Sequence, residues 1–105
     1  MEQPNQLYID NLSGGDEAFK QKLIAIIKKE FPLEKQTYYK NSTAKNYKLT
    51  ADNVHKLKHK ISILGLEKSY NIAVAYENNL LKGNTEQKTP FEAILTVITT
   101  YLKTL

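Results

Sequence analysis

The sequence predicts an all-α fold: an antiparallel four-helix bundle with a short additional N-terminal helix, forming a single domain over residues 1–105. Three observations lead to this prediction. In four long segments, apolar residues recur at three- and four-residue steps, the spacing of one face of a helix. Short polar connections join these segments, as they do in bundles whose neighbouring helices run antiparallel. The chain has no alternating Val-, Ile- or Thr-rich run between hairpin turns, so we expect no sheet.

The first part of the chain predicts one short helix and one long helix. Residues 1–6 are polar, and we expect this segment to be loose at its start, whereas the apolar segment 7–12 predicts the short helix. Gly14 and Gly15 permit a turn, and Asp16 suits the positive N-terminal end of the long helix. We expect Pro32 either to bend that helix or to end it. Its apolar stripe consists of Phe19, Leu23, Ile26, Ile27 and Phe31.

The second part predicts three more long helices after a polar connection at residues 41–46. The first begins at Asn46 or Tyr47 and ends at Gly65, a residue type that commonly stops helices. The second covers residues 66–81 and is closed by Gly83. For the last helix, Thr89 is the expected N-cap and Pro90 the expected first helical residue. Its core-facing stripe consists of Phe91, Ile94, Leu95, Ile98, Tyr101, Leu102 and Leu105.

Composition narrows the possible functions. The chain contains no Cys, which excludes disulfides and thiol catalysis. It has no apolar run of about 18 residues and no apolar leader, so we expect a cytoplasmic protein that does not enter membranes. The net charge is +4, and lysines are the only basic side chains besides the two histidines. The absence of arginine, which makes the commonest specific base contact, weakens a base-reading function, and attraction to an acidic protein surface is an equally physical use of the charge.

Both histidines lie in the helix predicted after residue 46, between four lysines. Its apolar residues Val54, Leu57, Ile61 and Leu64 follow a three-four-three step and define the inner face. His55 falls on the outer face, and its neighbours at positions i+3, i+4 and i+7 are Lys58, His59 and Ser62. The pattern therefore predicts an exposed imidazole flanked by positive charge.

This run, His55-Lys56-Leu57-Lys58 with Gly65 further on, resembles the phosphoacceptor helix of histidine-containing phosphotransfer domains. The resemblance implies that His55 is the phosphoacceptor and that Lys58, with Lys56 less directly, stabilises the phosphoryl group. The chain departs from the family pattern at His59, where a small residue is usual. A larger side chain there can crowd an incoming partner or contact it. Ser62 borders the acceptor, and Ile63 is a candidate for an apolar docking patch.

The resemblance implies a phosphorelay carrier of a two-component system with no independent enzymatic activity and no small-molecule substrate. It would accept a phosphoryl group on His55 from a receiver-domain aspartate of a hybrid histidine kinase and pass it to the receiver of a response regulator. A neutral imidazole is nucleophilic near neutral pH, and nearby lysines disfavour its protonated form. No cofactor is expected on this chain, because the required Mg²⁺ would be held by the partner receiver domain.

Other interpretations of the same residues remain open. The bundle could be an adaptor that binds receiver or kinase domains without accepting phosphate, with His59 as the cause. It could also be a small basic nucleic-acid-binding protein, which predicts a steep dependence of affinity on salt. His55 and His59 have the i, i+4 spacing of a metal-binding pair. The chain has no further His and no Cys, and lysines surround the pair, so we expect no metal site.

Overall fold

The computed structural model describes residues 2–105, and Met1 lies outside the described part. Within that range the chain forms five helices and no strand. They are α1 (Leu7–Ser13), α2 (Glu17–Thr43), α3 (Tyr47–Ile63), α4 (Glu67–Leu81) and α5 (Lys88–Leu102). The four long helices pack as a bundle and α1 is the short additional helix, so the predicted fold class is confirmed. None of the helices in residues 2–105 combines the length and the apolar character needed to cross a membrane.

Local side chains set two of the helix starts as the sequence predicts. The Asp16 carboxylate accepts a hydrogen bond from the backbone N–H of Phe19 at 3.0 Å, which caps α2. The Asn46 side chain accepts from the backbone N–H of Leu49 at 3.2 Å and caps α3 in the same way. Each cap satisfies a donor that has no partner inside its helix.

The structure answers two predictions about prolines: the effect of Pro32 had been left open, and the position given to Pro90 is wrong. Pro32 does not end α2, which continues to Thr43. At α5 the predicted start is wrong: Gln87 occupies the N-cap position and the helix begins at Lys88, so Pro90 lies inside the first turn. The first intrahelical bond runs from the Phe91 N–H to the Gln87 carbonyl at 3.0 Å. Pro90 is tolerated because N–H groups of the first turn have no intrahelical acceptor.

Side chains from all five helices form one apolar core, but the predicted stripe of α2 is only partly buried. Ile27 and Phe31 lie in the core, whereas Phe19 is 43% exposed and Ile26 is 50% exposed. The reason is geometric. Residues 19 and 26 lie away from the centre of the buried α2 face, which is formed by Ile24, Ile27, Phe31 and Tyr38.

Residues 2–6 contact the bundle, although a segment that is loose at its start was expected; Met1 lies outside the described residues. The Glu2 carboxylate accepts hydrogen bonds from the backbone N–H groups of Lys68 and Ser69 at 3.0 and 2.9 Å. The Asn5 N–H donates to the Leu64 carbonyl at 2.8 Å. Glu2 therefore supplies the cap that α4 lacks locally, because its own N-cap residue, Leu66, has no side-chain acceptor.

The order of the helices around the bundle decides which surfaces are available. α3 packs most extensively on α4 and then on α2, while α5 packs on α4 and only thinly on α2. Helix α3 therefore has one outer face between α2 and α4, and α5 lies across the bundle from it.

Candidate functional site

His55 lies in the middle of α3 with its side chain 54% exposed. Its neighbours along the helix, Val54 and Leu57, are fully buried and fix the orientation of α3 on the bundle. Because their side chains point into the core, the imidazole must point outward. A ring held on a packed helix but open to solvent can be reached by a macromolecular partner.

The closest polar partner of His55 comes from α4. The distance between His55 Nδ1 and Glu77 Oε2 is 3.2 Å. An ionised carboxylate can only accept a hydrogen bond, so Nδ1 is the protonated nitrogen in this contact. In the neutral ring that leaves the lone pair on Nε2. Glu77 therefore selects one tautomer of His55.

Lys58 contacts the other oxygen of the same carboxylate. Its Nζ donates to Glu77 Oε1 at 2.9 Å, and the two side chains are only 13% and 18% exposed. The ammonium also lies 5.8 Å from the centre of the Tyr70 ring. Glu77 thus links His55 and Lys58, which the helical wheel had placed on one face, into a single group of three charged or titratable side chains.

The remaining predicted site residues fall at different positions around this group. The His59 ring is exposed and lies edge-on to the His55 ring, with their centres 5.1 Å apart. Ser62 lines a shallow cleft towards α4 with Glu67 and Tyr70. His59 therefore lies beside His55, as the sequence spacing predicts, whereas the position of Ser62 at the border of the site stays a prediction.

Lys56 and Ile63 lie on the α2 side of α3. Lys56 lines a cleft with Leu33 and Glu34 and makes no hydrogen bond or ion pair with any residue in the range 2–105. Ile63 is half-buried and packs against the apolar core. The structure therefore brings Lys58, not Lys56, into contact with the group around His55. The proposed role of Ile63 in docking stays a prediction.

Sequence reasoning missed Glu77. Nothing in the pattern around His55 points to it, because it lies 22 residues later on another helix. The available signal was weak: Glu77 and Glu67 are the two acidic residues of α4, and only the register of α4 against α3 shows which of them reaches the imidazole.

A metal site needs several His, Cys, Asp or Glu side chains that converge on one point. No group of three or more His, Cys, Asp or Glu side chains that could hold a metal ion occurs in the described part of the chain. His55, His59 and Glu77 are not among such groups, and the Lys58 ammonium is already bound to one oxygen of the Glu77 carboxylate.

Known proteins give no independent guide to this chain: no family model, no curated protein and no solved structure matches it.

Proposed function

We propose that this protein is a histidine phosphocarrier of a two-component phosphorelay. It accepts a phosphoryl group on His55 from a receiver-domain aspartate and passes it to another receiver. The observation that carries the proposal is the contact between His55 Nδ1 and Glu77 Oε2 at 3.2 Å on a ring that is still half exposed. This contact prepares a nucleophile that faces away from the bundle.

The chemistry needs few groups on this chain. The Nε2 lone pair attacks the phosphorus of the partner's aspartyl phosphate, the bond from phosphorus to the aspartate oxygen breaks, and the aspartate leaves as a carboxylate. The Nδ1 proton stays in its hydrogen bond to Glu77, which stabilises the positive charge that develops on the ring. Mg²⁺ on the receiver would neutralise the phosphoryl oxygens. The transfer is mainly a matter of positioning and charge, which suits an imidazole on a rigid helix.

Lys58 supports the same step. An ammonium group has three donors, and one of them is directed at Glu77. The other two can stabilise phosphoryl oxygens bound at Nε2. Because Glu77 and the packing against Tyr70 hold the side chain, its charge is fixed near the acceptor before the partner arrives.

The proposed docking surface for the receiver lies on α2, which packs against the helix that carries His55. Phe19, Ile26 and Leu33 repeat every seven residues along α2 and are 43%, 50% and 59% exposed. This line adjoins α3, the helix that carries His55, at Leu33, which lines a cleft with Lys56. Exposed apolar side chains in such a line suit the apolar part of a protein interface, with the surrounding lysines attracting an acidic receiver surface.

A substitution in the docking surface tests receiver binding without changing any residue that contacts His55. Ile26→Asp should weaken receiver binding about tenfold or more, the range of a residue at the centre of an interface. The fold should survive, since Ile26 is half exposed. Leu81→Asp, at an exposed position of α4, is the matched control. Equal affinities of the two variants in a titration would remove the α2 surface from the interface.

The decisive experiment for the function is phosphotransfer from a panel of phosphorylated receiver domains to the wild-type protein and to His55→Gln. We expect an acid-labile, base-stable phosphate on the wild type and none on the variant. His59→Gln is the matched control, since it removes the other imidazole of the same helix. Transfer that persists in His55→Gln would refute the assignment.

The edge-on contact of His59 with His55 favours a second candidate function, a receiver-binding adaptor that carries no phosphate. In that case receivers bind but do not transfer, and His59→Gly restores transfer by opening the approach to Nε2. Direct phosphorylation of His55 by phosphoramidate, a small donor that needs no docking, distinguishes a blocked approach from an unreactive ring.

A further inference from the structure

A cleft separates α2 from α5 on the side of the bundle away from His55. Its volume is about 210 Å³. Phe31, Pro32 and Leu102 form an apolar floor, and Thr99 stands in the wall. Pockets for drug-sized ligands have volumes of about 300–1,000 Å³, so this cleft suits a smaller molecule.

The cleft follows from the helix packing. Among the contacts between adjacent long helices of the bundle, the one between α2 and α5 is the smallest. Pro32 lies at this contact and has no N–H to donate to the Lys28 carbonyl one turn earlier. The backbone of α2 is therefore less tightly bonded at the floor of the cleft, beside the last turn of α5.

The rim of the cleft is positively charged. Lys28, Lys35 and Lys103 line it, and no carboxylate side chain does. Lys28 Nζ donates to the backbone oxygen of Leu105 at 2.8 Å, and Lys35 Nζ donates to Thr99 Oγ1 at 2.7 Å. Of these two acceptors, the Thr99 hydroxyl is a neutral group. Elsewhere in residues 2–105, Lys20, Lys58 and Lys60 each pair with a carboxylate.

Lys35 is the most informative of the three. It is only partly exposed, its one described hydrogen bond goes to a neutral hydroxyl, and no carboxylate lies within ion-pair distance in the part of the chain that the structure describes. A partly buried ammonium without a counter-ion is unfavourable, and an anion in the cleft would remove that cost. Thr99 holds the group in place, so little side-chain freedom would be lost on binding.

We propose that this cleft binds a small amphipathic anion, a molecule with a short apolar body and a single carboxylate. The apolar body lies on Phe31, Pro32 and Leu102, and the carboxylate pairs with Lys35, with Lys28 and Lys103 adding attraction. The site does not depend on the function proposed for His55. Because α5 lies across the bundle from α3, both sites can be occupied together.

The test is a titration of the isotope-labelled full chain with octanoate, followed by amide chemical shifts. We expect saturable shifts, in the millimolar range or below, confined to the residues that line the cleft. Octylamine and 1-octanol have the same apolar body without the negative charge, and we expect both to bind at least tenfold more weakly, as for the loss of a hydrogen bond between charged groups. Saturation by 1-octanol at the same concentration as octanoate would overturn the proposal.

Variants of a rim lysine distinguish binding in the cleft from general attraction of an anion to a basic protein. Lys35→Gln should weaken octanoate binding about tenfold, and Lys35→Arg should restore most of it. Lys29→Gln removes the same charge from an exposed position of the same helix and should leave the affinity unchanged. Unfolding curves of all three variants show whether they are folded. No saturable shift in the wild type, shifts spread over the lysine-rich surface, or equal losses in Lys35→Gln and Lys29→Gln would each refute the site.

Discussion

Glu77 is the residue on which the geometry around His55 depends, because its two oxygens contact two different side chains of α3. Oε2 holds His55 Nδ1 and Oε1 holds the Lys58 ammonium. We expect Glu77→Ala to release both. With no acceptor for Nδ1–H, the neutral ring should move towards the other tautomer, and phosphorylation by phosphoramidate at Nε2 should slow about tenfold, the range for a lost charged hydrogen bond.

Nitrogen-15 spectra of the two histidines, recorded where the rings are neutral, measure the tautomer directly. Wild-type His55 should be protonated on Nδ1, and Glu77→Ala should show a larger share of Nε2 protonation. Glu67→Ala, which removes the other carboxylate of α4, serves as the control. An unchanged His55 spectrum in Glu77→Ala would contradict the role of Glu77 in selecting the nucleophilic nitrogen.

At the scale of residues, the sequence predicted the members of the site that share one helix. The i+3 and i+4 rules placed Lys58 and His59 next to His55, and the structure places them there. The same rules carry no information on the neighbouring helix, so Glu77 was missed. They also treated Lys56 as part of the site, although one residue on a helix turns a side chain by about 100°, here towards α2.

At the scale of the helices and turns, the turn between α3 and α4 depends on Gly65. Gly65 has φ of 77° and Gly83 has φ of 81°, a region that costs other residues about 1–2 kcal/mol. A Cβ on Gly65 would lie 2.6 Å from the Asn5 amide, whereas a Cβ on Gly83 would meet nothing within 4 Å. Gly65→Ala should therefore destabilise the protein more than Gly83→Ala, because it adds a clash to the same backbone strain.

Urea unfolding of the two variants measures the difference. We expect Gly83→Ala to lower the free energy of unfolding by about 1 kcal/mol and Gly65→Ala to lower it further. Removing the Asn5 side chain in a Gly65→Ala, Asn5→Ala double variant should recover part of the extra loss, after allowing for the cost of Asn5→Ala alone. Equal losses for the two glycine variants would mean that the N-terminal segment moves aside at no cost.

The elements show why local signals succeeded in some places and failed in others. Asp16 and Asn46 act on donors within their own first turn, so the sequence predicted their helix starts. The start of α4 depends on Glu2, which lies 65 residues earlier and caps that helix end with its side chain. Burial raises the pKa of the Glu2 carboxyl, but the hydrogen bonds from the Lys68 and Ser69 backbones outweigh this and leave the pKa below its ordinary value.

Across the whole molecule, one hydrogen-bonded chain joins three helices inside the core. Tyr38 of α2 donates to Glu92 of α5 at 2.8 Å, and Tyr76 of α4 lies 2.8 Å from the same phenol oxygen. Because Tyr38 has a single hydrogen and Glu92 can only accept, Tyr76 donates to Tyr38. Which polar atoms meet in the core depends on the register of three helices, which the periodicity of each helix does not give.

This network makes the stability of the bundle sensitive to base. Burial raises the pKa of the Tyr38 phenol, and the hydrogen bond that it donates to Glu92 raises it further. Burial also raises the pKa of Tyr76. Above about pH 10 the unfolded chain loses phenol protons that the folded chain keeps. Ionisation then favours the unfolded chain, so this contribution is complete below pH 10 and declines as the pH rises further.

Tyr38→Phe tests both the stabilisation that the network provides at neutral pH and the decline of that stabilisation above pH 10. At neutral pH it should lower the free energy of unfolding by about 1–3 kcal/mol, because Glu92 and Tyr76 each lose a buried partner. Above pH 10 the variant lacks the phenol that destabilises the wild type, so the difference should shrink by up to about 1.4 kcal/mol per pH unit. Urea unfolding at neutral pH and at several pH values above 10 measures this convergence, with Tyr8→Phe, at an exposed position of α1, as the control. Two stability curves that stay parallel through this range would show that the Tyr38 phenol ionises in the folded protein as readily as in the unfolded chain, and that the network does not hold its proton.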